Sequence, residues 1–348
     1  MYHDTMRLLE IVGLPDAQAG SVNDLSEDSL LGLLHPAIEN RIPLLFLERA
    51  VTLSKSSRRM ETLHKAYLEK AQSFFSLMKE VSKFLVKAQT DYVVFKTFKP
   101  FPFVTVDIDV LFFNREEFLR AYRSLRGFYK LAGYGAHSIS LYSPKHAMNL
   151  DLQLEISVSR LVYIYKNLLR EHVTEINVNG SQVRVLEPPA ALITVLAHSL
   201  YKEQIFTLSD YYTSMIHLLN MTNQQRRTFV DLAEQAHIGL GIKVVLMLIN
   251  TLTTMAFGRN VPAITETTQM IQAGEIEDKM MQLTLGHFAQ NSRLPYKYHP
   301  IALGAAFTAK VLKDPLMRGA IPQQFVELIT NTSEFLDFIL LHMRRETY

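Results

Sequence analysis

Two aspartates one residue apart, in Val106-Asp107-Ile108-Asp109-Val110-Leu111, are the groups in this chain best suited to chemistry. On an extended strand alternate side chains share a face. Asp107 and Asp109 therefore point one way, while Val106, Ile108 and Val110 point the other and can be buried. Adjacent carboxylates repel unless a cation lies between them. A pair of divalent ions meets that need, and two-metal sites serve phosphoryl chemistry. A third acid, Asp151, sits in Leu150-Asp151-Leu152, with Gln153 and Glu155 alternating onto its face. Three carboxylates around two Mg²⁺ ions let one ion activate a hydroxyl and the other hold a triphosphate, because Mg²⁺ keeps several of its waters. Upstream, the apolar run Val93-Val94-Phe95 ends in Lys96-Thr97, a cation and a hydroxyl able to meet phosphate. Lys99, His198 and Lys202 are further candidates for contact with a triphosphate or its base, and His198 and Lys202 lie one helical turn apart.

These residues need strands flanked by helices. Apolar spacing of three and four predicts helices capped at Ser26 or Asp28, over Ile42–Leu53, and over Ser57–Gln89. Strands are expected at Tyr92–Phe95 and Val104–Phe113, with the proline-stiffened Lys99-Pro100-Phe101-Pro102-Phe103 between them. Asn114 is a cap for a helix to about Arg126, and Gly133 with Gly135 marks a turn. Ser138–Tyr142 and a long alternating strand Met148–Val158 follow. Asn179-Gly180 then joins Glu175–Val178 to Gln182–Leu186 as a hairpin. Beyond Pro188-Pro189 the chain reads as helical: Ala191–Tyr201, Tyr211–Leu219 with Asp210 as its cap, Gln225–Ala236, Gly241–Ala256 and Ser333–Arg344, with residues 258–268 as a loop. The organisation expected is an N-terminal helical segment (1–60), an α/β core (61–187) and a C-terminal helical domain (188–348). The three acids are expected to converge at a cleft between the core and the helices.

With 48% apolar and 20% charged residues, the chain has the composition of a folded protein rather than a disordered one. Lys and Arg number 36 against 34 Asp and Glu, so a net charge of +2 gives no global field that attracts nucleic acid, although a local basic groove is compatible with it. Without cysteine there are no disulfides, Cys-ligated zinc or thiol nucleophiles. Met1-Tyr2-His3-Asp4 lacks a secretory pattern, and the apolar stretch Gly241–Gly258 carries Lys243, Asn250 and threonines. A buried helix accounts for that stretch better than a membrane span, so the expectation is a soluble cytoplasmic protein without a membrane partner.

Taken in order, the apolar strand, the hydroxyl residue, the loop, Asp-x-Asp and the later third Asp resemble the nucleotidyltransferase superfamily that includes DNA polymerase beta. Within it they are most similar to an uncharacterised nucleotidyltransferase-like branch. That branch often reads Leu-Lys-Gly before the Asp-x-Asp and Val-Asp-Leu at the third acid, where this chain has Phe95-Lys96-Thr97 and Leu150-Asp151-Leu152. A His-bearing helix followed by an Asp-bearing one is matched by His198 and Asp210. The resemblance covers residues 75–220. It implies an α+β fold in which a small mixed-sheet core is flanked by N-terminal helices and a C-terminal helical domain. It also implies Mg²⁺ or Mn²⁺ on Asp107, Asp109 and Asp151, and an NTP held through Lys96, Thr97, Lys99, His198 and Lys202. A nucleoside monophosphate would pass to a hydroxyl of an RNA end, a protein or a small molecule, with release of pyrophosphate. The chain departs from the pattern in lacking the usual Gly-Ser pair, since Lys96 stands where glycine is common. A second reading is therefore a nucleotide-binding or interaction protein on a catalytically decayed fold.

Overall fold

The computed structural model describes residues 4–15, 25–54, 57–272, 281–282, 284–289 and 293–330; the expected helix Ser333–Arg344 lies outside these. The chain opens with α1 (Asp4–Val12), α2 (Glu27–Gly32), α3 (Leu34–Glu39), α4 (Pro43–Leu53) and the thirty-residue α5 (Arg58–Lys87). Ser26 and Ser57 cap α2 and α5 by accepting hydrogen bonds from the Ser29 and Met60 amides. The sheet elements are β1 (Tyr92–Val94), β2 (Asp107–Phe112), β3 (Lys130–Tyr134), β4 (Ser138–Ser143), β5 (Met148–Gln153), β6 (Ile156–Val158), β7 (Leu161–Ile164), β8 (Val173–Val178) and β9 (Ser181–Leu186). Between them lie α6 (Arg115–Leu125), capped by Asn114, and α7 (Lys166–Arg170).

Seven strands form one mixed sheet in the order β3-β4-β5-β2-β1-β9-β8. β2 runs parallel to β5 and antiparallel to β1, and β1 runs parallel to β9. Ile108, Val110 and Phe112 are fully buried on one face of β2, where Phe112 meets Phe118 of α6 edge to face. Asp107, Asp109 and Leu111 occupy the other face by strand parity. The fold is thus mixed α+β. The β8–β9 turn has Asn179 and Gly180 at φ 48° and 80°, the positive values that an Asn-Gly hairpin requires.

Several expectations are corrected. The strand expected over Met148–Val158 is two strands in different sheets, because the Lys166 ammonium binds both the Leu154 carbonyl (2.8 Å) and Glu155 (2.8 Å) and so ends the β5 ladder. β6 then pairs with β7. Gly133 lies inside the edge strand β3, at a register shift, rather than in a turn. Residues 262–270 form α12 (Pro262–Met270) rather than loop, with Pro262 at the first helical turn and Ile264 and Thr267 buried. The remaining helices are α8 (Pro188–Ala197), α9 (Leu208–Asn220), α10 (Asn223–Gln235), α11 (Gly239–Phe257), α13 (Pro300–Lys313) and α14 (Pro315–Thr330). The short strands β10 (Ile205–Phe206) and β11 (Tyr296–Lys297) pair with each other. Among the described helices, α11 alone is long and apolar enough to cross a membrane; half of its apolar window is buried, and it packs on α8, α12 and α13.

At the join of the last two helices, Lys310 and Asp314 are almost fully buried and 2.8 Å apart, and the Tyr165 hydroxyl donates to Asp314. Asp314 also accepts from the Leu316 and Met317 amides. Removing one partner of a buried pair strands the other charge. Lys310→Met is therefore expected to lose about 3–5 kcal/mol in denaturant unfolding, and a loss below about 1 kcal/mol would show that Asp314 is otherwise compensated.

Candidate metal and phosphate site

Register brings the acids together. Asp109 lies directly opposite Asp151, and Asp107 opposite Asn149, across the parallel pair β2–β5. All three carboxylates fall on one sheet face, with oxygens within 4.8 Å of one another. The neighbours are polar. Ser140 on β4 donates to Asp151 Oδ1 (2.6 Å), Thr105 to Asp107 Oδ1 (3.1 Å), and the Gln153 amide to Asp109 Oδ1 (2.6 Å). The Lys96 ammonium lies 3.0 Å from Asp109 Oδ2. Asp109 is thus engaged on both oxygens, whereas Asp107 and Asp151 each hold a hydrogen bond on one.

The turn after β1 sets this geometry. Lys96 sits at its centre with φ 48°, in the left-handed region that glycine adopts without strain, while the Thr97 amide donates to the Phe95 carbonyl (2.6 Å). A non-glycine residue there costs on the order of 1–3 kcal/mol. The Thr97 hydroxyl donates to the Phe95 carbonyl and accepts from the Asp109 amide (3.0 Å). It therefore locks the turn onto β2.

A cleft of about 160 Å³ opens over the acids, lined by the turn and β2 on one side and by residues 195–210 on the other. Lys96, Thr97, Lys99, His198 and Lys202 all line it. Asp210 lines it too. Asp210 is the third residue of α9 in a capping box with Thr207, rather than the cap itself. Glu155, paired with Lys166, lies away from it.

His198 and Lys202 belong to a π-helical turn, His198–Glu203, that continues α8. Its i→i+5 spacing lets His198 Nε2 meet Glu203 (3.2 Å), while His198 Nδ1 meets the Tyr163 hydroxyl (3.2 Å). Arg41 closes the chain with a 3.1 Å bond to Glu203. His198 therefore orients neighbours behind the cleft. Sequence reading misses Arg41, Glu203 and Tyr163. Arg41 lies far upstream with no motif around it, and nothing in the sequence marks a π turn. Ser140 is legible only as the polar phase of Ser138-Ile139-Ser140-Leu141-Tyr142.

The charges are strongly perturbed. Burial, with the nearby carboxylates of Asp107 and Asp151, pushes Asp109 up to about 7, against the pull of Lys96. Burial also raises Asp151, with Asp107 adding to it and the Ser140 hydrogen bond opposing. Burial works against the Lys96 ammonium, but Asp109 and Asp107 together outweigh it and hold it above the ordinary lysine value. Burial lowers Lys99 to about 8 against the pull of Asp210, helped by Arg41 and Lys96, and lowers Lys202, helped by Lys96. Burial keeps His198 neutral. Burial opposes ionisation of Glu203, yet His198 and Arg41 hold its pKa below the usual carboxylate range.

The donor set fits Mg²⁺ or Mn²⁺: hard carboxylate oxygens, clustered, on rigid strands, with room for water. The buried ammonium groups of Lys99 and Lys202 fit an anion. Comparison with protein-family models, curated proteins and solved structures finds no match for this chain.

A carboxyl with a raised folded pKa is protonated in the folded chain where the unfolded chain is ionised, so the folded state loses relative stability as pH rises from about 4 through 7. Asp109→Asn abolishes that loss. Urea melts at pH 5 and pH 8 are expected to show the variant gaining on the parent at the higher pH. The gain is about 1.4 kcal/mol for every tenfold by which folding tightens the hold of Asp109 on its proton. Parallel pH profiles would contradict the assignment.

Proposed function

We propose that this chain is a divalent-metal-dependent nucleotidyltransferase with a nucleotidyltransferase-like core over residues 61–187. The observation that carries the reading is the convergence of Asp107, Asp109 and Asp151 within 4.8 Å beneath the cleft that Lys99 and Lys202 line. Lys99 and Lys202 bind the β- and γ-phosphates of an NTP, each relieving the cost of a buried ammonium. Mg²⁺ or Mn²⁺ on the three aspartates supplies charge neutralisation and lowers the pKa of an acceptor hydroxyl. The hydroxyl oxygen forms a bond to the α-phosphorus. The bond from that phosphorus to the bridging oxygen of the β-phosphate breaks, and pyrophosphate leaves. Asp151, raised by burial and steadied by Ser140, takes the hydroxyl proton.

One observation favours a second reading. Lys96 already pairs with Asp109 at 3.0 Å, in a backbone conformation where the resembling family carries glycine. An ammonium built into the acid cluster suits a decayed site that binds nucleotide or a partner without turnover.

Metal binding separates the two. A ligand that binds only the folded state stabilises it by about 2.7 kcal/mol at a hundredfold excess over its Kd. On the first reading Mn²⁺ raises the Tm of the parent protein, and the rise disappears in Asp107→Asn/Asp109→Asn. An equal rise in both proteins would remove the site.

Lys96→Gly relaxes the turn and frees Asp109. On the first reading the parent already responds to Mn²⁺, and the variant, which keeps Lys99 and Lys202, responds as well. A Mn²⁺ response in the variant alone would establish the second reading. Incubation with each labelled NTP, Mn²⁺ and cell RNA or protein then tests turnover directly, and absence of any labelled product overturns the transferase.

A further inference from the structure

The three aspartates are not equivalent. Asp109 is buried, and both of its oxygens face donors: the Gln153 amide at Oδ1 (2.6 Å) and the Lys96 ammonium at Oδ2 (3.0 Å). Asp107 and Asp151 are half-buried. Each accepts from one hydroxyl, Thr105 or Ser140, and keeps a second oxygen that neither hydroxyl uses. A hydroxyl can rotate its proton aside and offer a lone pair, whereas an ammonium has three donors and no lone pair. The surroundings of Asp107 and Asp151 therefore adapt to a metal ion, while the Lys96 end of Asp109 opposes one.

Lys96 is also held where it is. The Phe95 amide donates to the Asp109 carbonyl (3.2 Å), and the Asp109 amide donates to the Thr97 hydroxyl (3.0 Å). The residues on either side of Lys96 are thus tied to the residue that its side chain neutralises, and its left-handed backbone (φ 48°) is fixed between them. The Lys96 side chain is only 12% exposed and that of Asp109 only 3%. Withdrawing the ammonium would leave a buried carboxylate without its partner, which is the costly way to break a buried pair.

We infer that the site takes a single divalent ion, held by Asp107 and Asp151, and that Lys96 fills the second metal position as a cation built into the chain. The inference rests on the transferase reading and narrows its ligand set, with Asp109 serving the ammonium instead of a metal. Paired ions in two-metal sites lie about 3.5–4 Å apart. A second ion among these acids would have to sit against Asp109 beside an ammonium, which is a compact point charge. Charge balance favours the same arrangement. With all three carboxylates ionised, one ammonium and one divalent ion bring the cluster to zero, and a second ion would leave a buried positive surplus. Lys96 thus neutralises Asp109 without an ion having to be captured from solution. The left-handed backbone that glycine would adopt without strain is here the means of placing that charge.

The test counts bound Mn²⁺ by electron paramagnetic resonance on the full chain. Titrations are run with Mn²⁺ alone and with Mn²⁺ plus the α,β-methylene analogue of ATP, which cannot release pyrophosphate. Counts are taken relative to Asp107→Asn/Asp151→Asn, so that ions on other surface acids cancel. The parent is expected to bind one ion, with the spectrum of an isolated Mn²⁺, in both titrations. Lys96→Met keeps the length of the side chain without its charge, and Lys96→Gly suits the turn and so guards against a folding defect. With the analogue, both variants are expected to bind a second ion and to show the coupled spectrum of a close pair. A coupled pair on the parent, or a single ion on both variants, overturns the inference and leaves the transferase reading standing. No ion on the parent defeats that reading, and the inference with it. One ion on the parent and two on Lys96→Gly, with no labelled product from any NTP, defeats the transferase and leaves Lys96 in the second metal position.

Discussion

Parallel pairing of β2 with β5, in the register that sets Asp109 opposite Asp151, is the constraint on which the site depends. A slip of one residue would turn Asp151 to the helix-covered face and bring Leu150 or Leu152 into the cleft. The opposite face prevents it. Ile108, Val110, Leu150 and Leu152 are all fully buried, each worth about 1.5–3 kcal/mol of burial. Apolar packing on one side of the sheet therefore holds three like charges together on the other.

Crowding of that kind must be relieved locally, and the chain does so in three ways. Hydroxyl and amide donors from Thr105, Ser140 and Gln153 each take one carboxylate oxygen. Lys96 supplies a full positive charge, and reaches it only by accepting a left-handed backbone. The shift of Asp109 toward neutrality absorbs what is left. Asp107 and Asp151 each keep a second oxygen that none of these donors uses, and that residual demand supports the cation site proposed above.

The parts of the site that share a period with their element are legible in the sequence. Asp107 and Asp109 follow the two-residue alternation of one strand, so their common face follows from spacing, whereas the place of Asp151 beside them depends on the β2–β5 register. The caps Ser26, Ser57 and Asn114 and the Asn179-Gly180 turn are readable because each satisfies a local backbone need. What depends on distant partners is not readable. The alternation around Asp151 continues unbroken to Val158, yet Lys166 captures the Leu154 carbonyl and ends the strand. Pro262 reads as a breaker, but it opens a helix whose threonines return hydrogen bonds to carbonyls four residues back. β3 is an exposed edge strand with glycine inside it and no alternation to betray it.

The π-helical turn shows how the helices before and after the sheet act on one cleft. In an α-helix His198 and Glu203 would point apart, whereas here they meet, and Arg41 from the turn after α3 binds the same carboxylate. Tyr163 on β7 braces the other side of His198, and two residues later Tyr165 is tied to Asp314 at the head of α14. Glu203 is thus hydrogen-bonded to Arg41 and His198, and its charge also favours the ammonium of the adjacent Lys202 without offsetting burial there. With Lys99 likewise lowered by burial, the cleft carries cations whose desolvation outweighs the pull of the carboxylates around them. An anion entering the cleft offsets that cost, and this is the physical ground for the phosphate contacts proposed above.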